Sequence, residues 1–136
     1  MRYMGLDLGT KTLGISLSNG IIASVYGTLR HNEEYDRIAK EVEALAIEKK
    51  IDIIVLGFPK NMNNTIGERA EITLEFKKKL EELTNLPVEL EDERLTSKVA
   101  NDVLISADTS RKKRKERVDG MASVIILQSY LDRKGI

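Results

Sequence analysis

The chain has no cysteine, no tryptophan and a single histidine among its 136 residues. Without cysteine there can be no disulfide framework, thiolate metal centre or thiol nucleophile. With one histidine, a Ser-His-Asp triad or a histidine-rich zinc site has almost no material. That residue, His31, lies in the polar stretch His31-Asn32-Glu33-Glu34 ahead of a helix, and reads as a solvated loop residue. Aromatic residues make up 4% of the chain, too few for base stacking to be the main mode of nucleic-acid recognition. No apolar stretch is long enough to span a bilayer. The N-terminus enters a strand without the basic region and long apolar core of a signal peptide, so a cytoplasmic location is expected, with no membrane partner. Repeats, low-complexity segments and linkers are also missing. A single domain over residues 1–136, large enough for a real core, is the expectation.

Net charge is absent too, since 22 basic residues balance 22 acidic ones. The distribution is uneven. Residues 111–117, Arg-Lys-Lys-Arg-Lys-Glu-Arg, hold six of the basic residues and one acidic residue, so the rest of the chain is acidic. A local basic patch on an acidic body suits a phosphate backbone, although such a run can equally be a solvated loop. Any chemistry must come from carboxylates, Lys, Arg and hydroxyls.

One carboxylate stands out. Asp7 sits inside the apolar run Tyr3-Met4-Gly5-Leu6-Asp7-Leu8, just before Gly9-Thr10-Lys11-Thr12. Burying an ionised carboxylate is costly without a hydrogen-bonded partner, a cation or a metal. Taken alone, Asp7 could also be a turn-forming residue.

The order of elements follows from periodicity. Residues 2–8 read as a strand, and Leu13, Ile15 and Leu17 alternate with Gly14, Ser16 and Ser18 as a second. Asn19-Gly20 is a turn signal, and Ile21 to Leu29 reads as a third strand, which completes an antiparallel meander. Ile38, Val42, Leu45 and Ala46 mark a helix over about 33–49. The apolar run Ile53-Ile54-Val55-Leu56 suits a central parallel strand over 52–58. A polar loop follows at 60–65, then a helix marked by Ile72, Phe76, Leu80 and Leu83, and a short strand over 87–91. Leu95, Val99 and Val103 suggest a third helix, the basic segment interrupts, and Val118 to Leu131 forms a buried last helix. Right-handed βα crossovers after a meander predict an α/β fold, a mixed five-stranded sheet flanked by helices.

Two more carboxylates stand at the ends of elements. Glu93 follows the strand at 87–91 in the charged sequence Glu91-Asp92-Glu93-Arg94, and Asp119 opens the last helix, where a helix N-terminus tolerates an acid. Open α/β sheets gather their sites at the carboxyl ends of strands. Three acids at the ends of three elements suggest a metal site able to act on phosphate esters. Singly, Glu93 could be a solvated charge and Asp119 a helix cap.

Four motifs then carry a resemblance. Asp7-Leu8-Gly9-Thr10-Lys11-Thr12-Leu13-Gly14, Gly57-Phe58-Pro59-Lys60-Asn61-Met62, Asp92-Glu93-Arg94-Leu95-Thr96, and Asp119 ahead of Ala122 together resemble the YqgF family, also called RuvX. The resemblance runs nearly end to end. It implies an RNase H-like fold related to Holliday junction resolvases. It also implies a nuclease that matures the 5′ end of pre-16S ribosomal RNA, with resolution of branched DNA as the alternative. Asp7, Glu93 and Asp119 match the family's acids, and Lys60, Asn61, Arg94 and Thr96 match further characteristic positions. Arg111, Lys112, Lys113 and Arg114 would add backbone contacts. Two positions depart from the pattern: Asn63-Asn64-Thr65 replaces a common Asp-Gly-Ser/Thr turn, and Gly120 replaces a Ser or Ala.

The implied chemistry is metal-assisted phosphodiester hydrolysis. Oxygen ligands suit Mg²⁺ or Mn²⁺, and two ions about 4 Å apart would activate water and stabilise the leaving oxygen. Asp7, deepest in the sheet, is the candidate to bridge them. Implied partners are an rRNA precursor or branched DNA, and ribosomal particles, for a monomer or a homodimer. Two other classes remain open. Asp7-Leu8-Gly9-Thr10 also resembles the phosphate hairpin of actin-like ATPases, which need a second domain, and a non-catalytic RNA-binding module would keep the fold without cleavage.

Overall fold

Alternation along the first strand sets both faces of the sheet. The computed structural model describes residues 1–59, 67–92 and 111–134, and for 111–120 the backbone alone. In β1 (Tyr3–Leu8), Met4, Leu6 and Leu8 turn to one face, and Tyr3, Gly5 and Asp7 to the other. β2 (Thr12–Ser18) and β3 (Ala23–Arg30) complete the meander, and β4 (Ile53–Phe58) and β5 (Val88–Asp92) add the parallel half. The five strands lie in the order β3-β2-β1-β4-β5. β1 pairs antiparallel with β2 and parallel with β4, and β5 pairs parallel with β4. The predicted mixed sheet is therefore present, with β4 beside β1.

Helices α1 (Tyr35–Glu48) and α2 (Glu68–Thr84) cover one face. Ile38, Val42, Phe76 and Leu80 pack there on Met4, Leu6, Ile15, Ile54 and Leu56. Helix α3 (Arg111–Lys134) covers the other face, where Ile126, Leu127, Tyr130 and Leu131 meet Tyr3, Ala23 and Val55.

The third face-setting feature is the small size of Gly5 and Ser16. A Cβ on Gly5 would collide with Ser16 Oγ, lie 2.8 Å from Leu127 Cβ and 3.1 Å from the Ser123 carbonyl oxygen. The missing side chain is what lets α3 lie against β1. Two hydrogen bonds hold it there. Ser123 Oγ donates to the Gly5 carbonyl at 2.8 Å, and Ser16 Oγ donates to the Ser123 carbonyl at 2.9 Å.

Three expectations need correction. The third strand begins at Ala23, so Ile21 and Ile22 lie in the turn and are 69% and 70% exposed. Gln128 takes the place of a strand partner there, accepting from Ala23 N–H at 2.9 Å and donating to the Ile21 carbonyl at 3.1 Å. The basic residues 111–117 belong to the last helix, because α3 already runs from Arg111. Lys, Arg and Glu are good helix formers, so a charged run continues a helix as readily as it ends one. Asp119 consequently lies two turns inside α3 and does not open it. The helix expected around Leu95, Val99 and Val103 lies outside the described residues.

Candidate active site

Asp7 is half-buried, one residue from the end of β1. Its register partner on β2 is Gly14. The β1–β4 register runs to Leu6 opposite Leu56, and one further step brings Gly57 beside Asp7. The acid is thus flanked in the sheet by two residues without side chains. β1, β4 and β5 are mutually parallel and deliver their carboxyl ends to the same edge, and β5 stops at Asp92, opposite Phe58. Glu93 is the next residue in the chain and lies outside the described residues.

The turn after Asp7 is held from several sides. Gly9 N–H donates to the Thr12 carbonyl at 2.8 Å, and His31 N–H to the Lys11 carbonyl at 2.9 Å. The His31 ring lies 2.9 Å from the Gly9 carbonyl through Nε2, and its Nδ1 accepts from Glu33 N–H at 3.0 Å. A nitrogen that accepts cannot also carry the proton in neutral imidazole, so the Nε2–H tautomer is assigned by these partners. His31 is 7% exposed. The expectation of a solvated loop residue was wrong: flanking polar residues hid the fact that the ring folds back onto the Asp7 turn.

Arg69 was missed altogether. It sits in the first turn of α2 and its Nη2 donates to the Leu8 carbonyl at 3.1 Å. A sequence signal existed. The start of a helix favours anions, so an Arg there needs a reason.

On the other face, α3 runs antiparallel to β1. The Tyr130 ring lies 6.2 Å from that of Tyr3, and Ser123 bonds to Gly5. One turn back along the helix from Ser123 is position 119, and two residues along the strand from Gly5 is Asp7. Helix and strand thus carry these two positions toward the same edge.

Glu91 departs from the picture of an evenly solvated charged turn. It is 7% exposed, and α3 grips it: Arg133 Nη2 lies 2.6 Å and Nε 3.1 Å from Oε1, and Ser129 Oγ donates to Oε2 at 3.0 Å. Its carboxylate is committed to holding β5 against α3.

Lys60, Asn61, Glu93, Arg94 and Thr96 lie outside the described residues. Arg111, Lys112, Lys113, Arg114 and Asp119 lie on α3, where the backbone alone is described. Among the described residues, no three His, Asp or Glu side chains gather closely enough to hold a metal. The donor set proposed around Asp7 is all carboxylate oxygen, which fits a hard divalent cation and no soft one. A cavity of about 510 Å³, lined by Arg2, Leu17, Ile21, Ile22, Lys49 and Ile51, opens at the opposite end of the sheet and has no part in this edge. No helix among the described residues is long and apolar enough to cross a membrane.

The family model described as RuvX, Holliday junction resolvase, matches residues 1–133. A Bacillus subtilis protein named "Putative pre-16S rRNA nuclease" is 53% identical over 135 residues, covering 97% of this chain and 98% of that protein. A Geobacillus protein of the same name is 51% identical over 137 residues, covering 98% and 99%. Among solved structures, Thermus thermophilus RuvC in complex with a Holliday junction substrate superposes with a TM-score of 0.64. It covers 99% of this chain and 96% of that one at 13% identity, a likeness of fold, and RuvC is RNase H-like.

Proposed function

The chain belongs to the RuvX family, and on that premise we propose a metal-dependent nuclease that hydrolyses phosphodiester bonds in maturing the 5′ end of pre-16S ribosomal RNA. One observation supports the site most directly: Asp7 stands between two glycines at the carboxyl edge of the parallel strands, with position 119 of α3 advancing to that edge. Asp7, Glu93 and Asp119 are the proposed ligands of Mg²⁺ or Mn²⁺. Bound there, two such ions would activate the attacking water and stabilise the leaving oxygen.

The chain's own groups do the rest. Asp7 is carried on a buried strand, which fixes its carboxylate against recoil. His31 and the Gly9–Thr12 bond hold the turn that follows, which fixes the backbone at the end of β1. Lys60, Asn61, Arg94 and Thr96, with Arg111, Lys112, Lys113 and Arg114, are proposed to hold the phosphate backbone. A cytoplasmic site of action, on ribosomal particles, follows from such a substrate.

The family model's description favours a second reading, cleavage of four-way DNA junctions. Purified protein with Mn²⁺, offered a precursor 16S fragment and a four-way junction in parallel, separates the two. Cleavage of the RNA fragment alone is the expected result. Symmetric junction cleavage would replace it, and would require a two-fold dimer in place of a monomer. Binding without metal-dependent cleavage of either substrate would leave a docking module.

A further inference from the structure

We propose that Arg69 is a substrate-positioning residue of this edge, holding the end of β1 through the Leu8 carbonyl and offering its remaining donors to a phosphate of the nucleic-acid backbone. This role rests on the nuclease reading above and adds a cation to it from an element, α2, that carries none of the proposed metal ligands.

The geometry begins with the strand. In a β-strand the peptide groups of successive residues point to opposite neighbours. Gly9 N–H bonds to Thr12 on the β2 side, so the groups of Leu8 point toward β4. The β1–β4 register ends with Leu6 opposite Leu56, so the Leu8 carbonyl sits where that ladder has opened. Leu8 is 5% exposed, and a buried carbonyl needs a donor. Arg69, 61 residues away, supplies it at 3.1 Å. The guanidinium therefore lies at the mouth of the gap between the carboxyl ends of β1 and β4, next along the backbone from Asp7. Ligands of open α/β sheets bind in that gap.

The chemistry of the side chain completes the case. A guanidinium has five N–H donors in a planar fork, and the Leu8 carbonyl uses one of them. Arg69 is half-buried, and among the described residues no carboxylate pairs with it. A carbonyl clip alone does not call for a full charge at the positive end of a helix, where cations are disfavoured. A phosphate brought to Asp7 does call for one, because the acid and the phosphate repel each other. The fork geometry matches two phosphate oxygens at once.

The test uses the full chain with Arg69→Ala and Arg69→Lys. Binding of a single-stranded RNA oligonucleotide is measured in EDTA across salt concentrations, cleavage of the precursor fragment with Mn²⁺, and thermal melting of each variant. Arg69→Ala should bind about tenfold more weakly, the loss expected for a hydrogen bond to a charged group. Its log–log salt slope should fall by about 0.7. Arg69→Lys should recover the slope and much of the binding, but not kcat, because an ammonium lacks the fork. Wild-type affinity and slope in a folded Arg69→Ala would overturn the proposal and leave Arg69 as a strand clip. If the wild-type protein cleaves neither substrate, the nuclease reading fails by itself, and the binding and salt measurements still decide the role of Arg69.

Discussion

The hydroxyl of Ser123 donates to the carbonyl of Gly5 across 2.8 Å, while the carbonyl of Ser123 accepts from Ser16 Oγ. This pair of bonds fixes helix α3 to β1 two residues before Asp7. The buried polar groups satisfy each other, so the contact costs little in desolvation and sets the helix's height along the strand.

Gly5→Ala should therefore destabilise the protein by about 1–3 kcal/mol, the range for forcing extra volume into a packed site. The added methyl meets the Ser123 carbonyl and Leu127, and backbone cannot give way as a flexible side-chain tip does. Urea unfolding should show a lower midpoint with an unchanged slope. A variant as stable as wild type would mean that α3 shifts freely on the sheet.

Asp7→Asn should abolish cleavage and leave the fold intact. With Glu93 and Asp119 gathered at this edge as proposed, removing one acid would relieve repulsion when no metal is bound, so the melting temperature should hold or rise. Wild-type turnover in this variant would exclude Asp7 as a required ligand, and a large drop in melting temperature would assign it a structural role.

Arg133→Met should cost about 1–3 kcal/mol, because it leaves the Glu91 carboxylate buried with Ser129 as its remaining donor from α3. The Arg133 side chain is 53% exposed, which places the loss toward the low end. Glu91→Gln on top of it should restore part of the stability. A double-mutant cycle with no coupling between the two positions would contradict the pairing.

Neutralising Arg111, Lys112, Lys113 and Arg114 together should weaken binding on all sequences alike and flatten the salt dependence by about 0.7–0.9 per lost phosphate contact. Turnover at saturating substrate should survive, since backbone contacts position and do not cleave. The salt slope of the quadruple variant is the deciding measurement. No change in it would put the nucleic-acid path elsewhere.

Much of this architecture was legible because it is periodic. The apolar run around Asp7, the alternation in 13–18 and the apolar run 53–56 told strand from helix and marked β4 as a central parallel strand. Asp7 was legible because a charge in an apolar run violates the pattern. His31, Glu91 and Arg69 were not, because their roles rest on bonds to groups 22 to 61 residues away, which leave no periodic trace. The start of α3 was misplaced because charge was read as loop, although Lys and Arg favour helix. Asp7 was expected to converge with Glu93 and Asp119, and its partners' side chains lie outside what is described.

The bond between Ser123 and Gly5 joins positions 118 residues apart. On a ribosome, β1 leaves the exit tunnel long before α3 is translated. Until then the face that carries Tyr3, Asp7 and Val55 lacks the cover of α3. A nascent chain of this protein thus holds its second core open until synthesis is nearly complete. The order of translation therefore makes this face the last to close, when Ile126, Leu127, Tyr130 and Leu131 settle on Tyr3 and Val55.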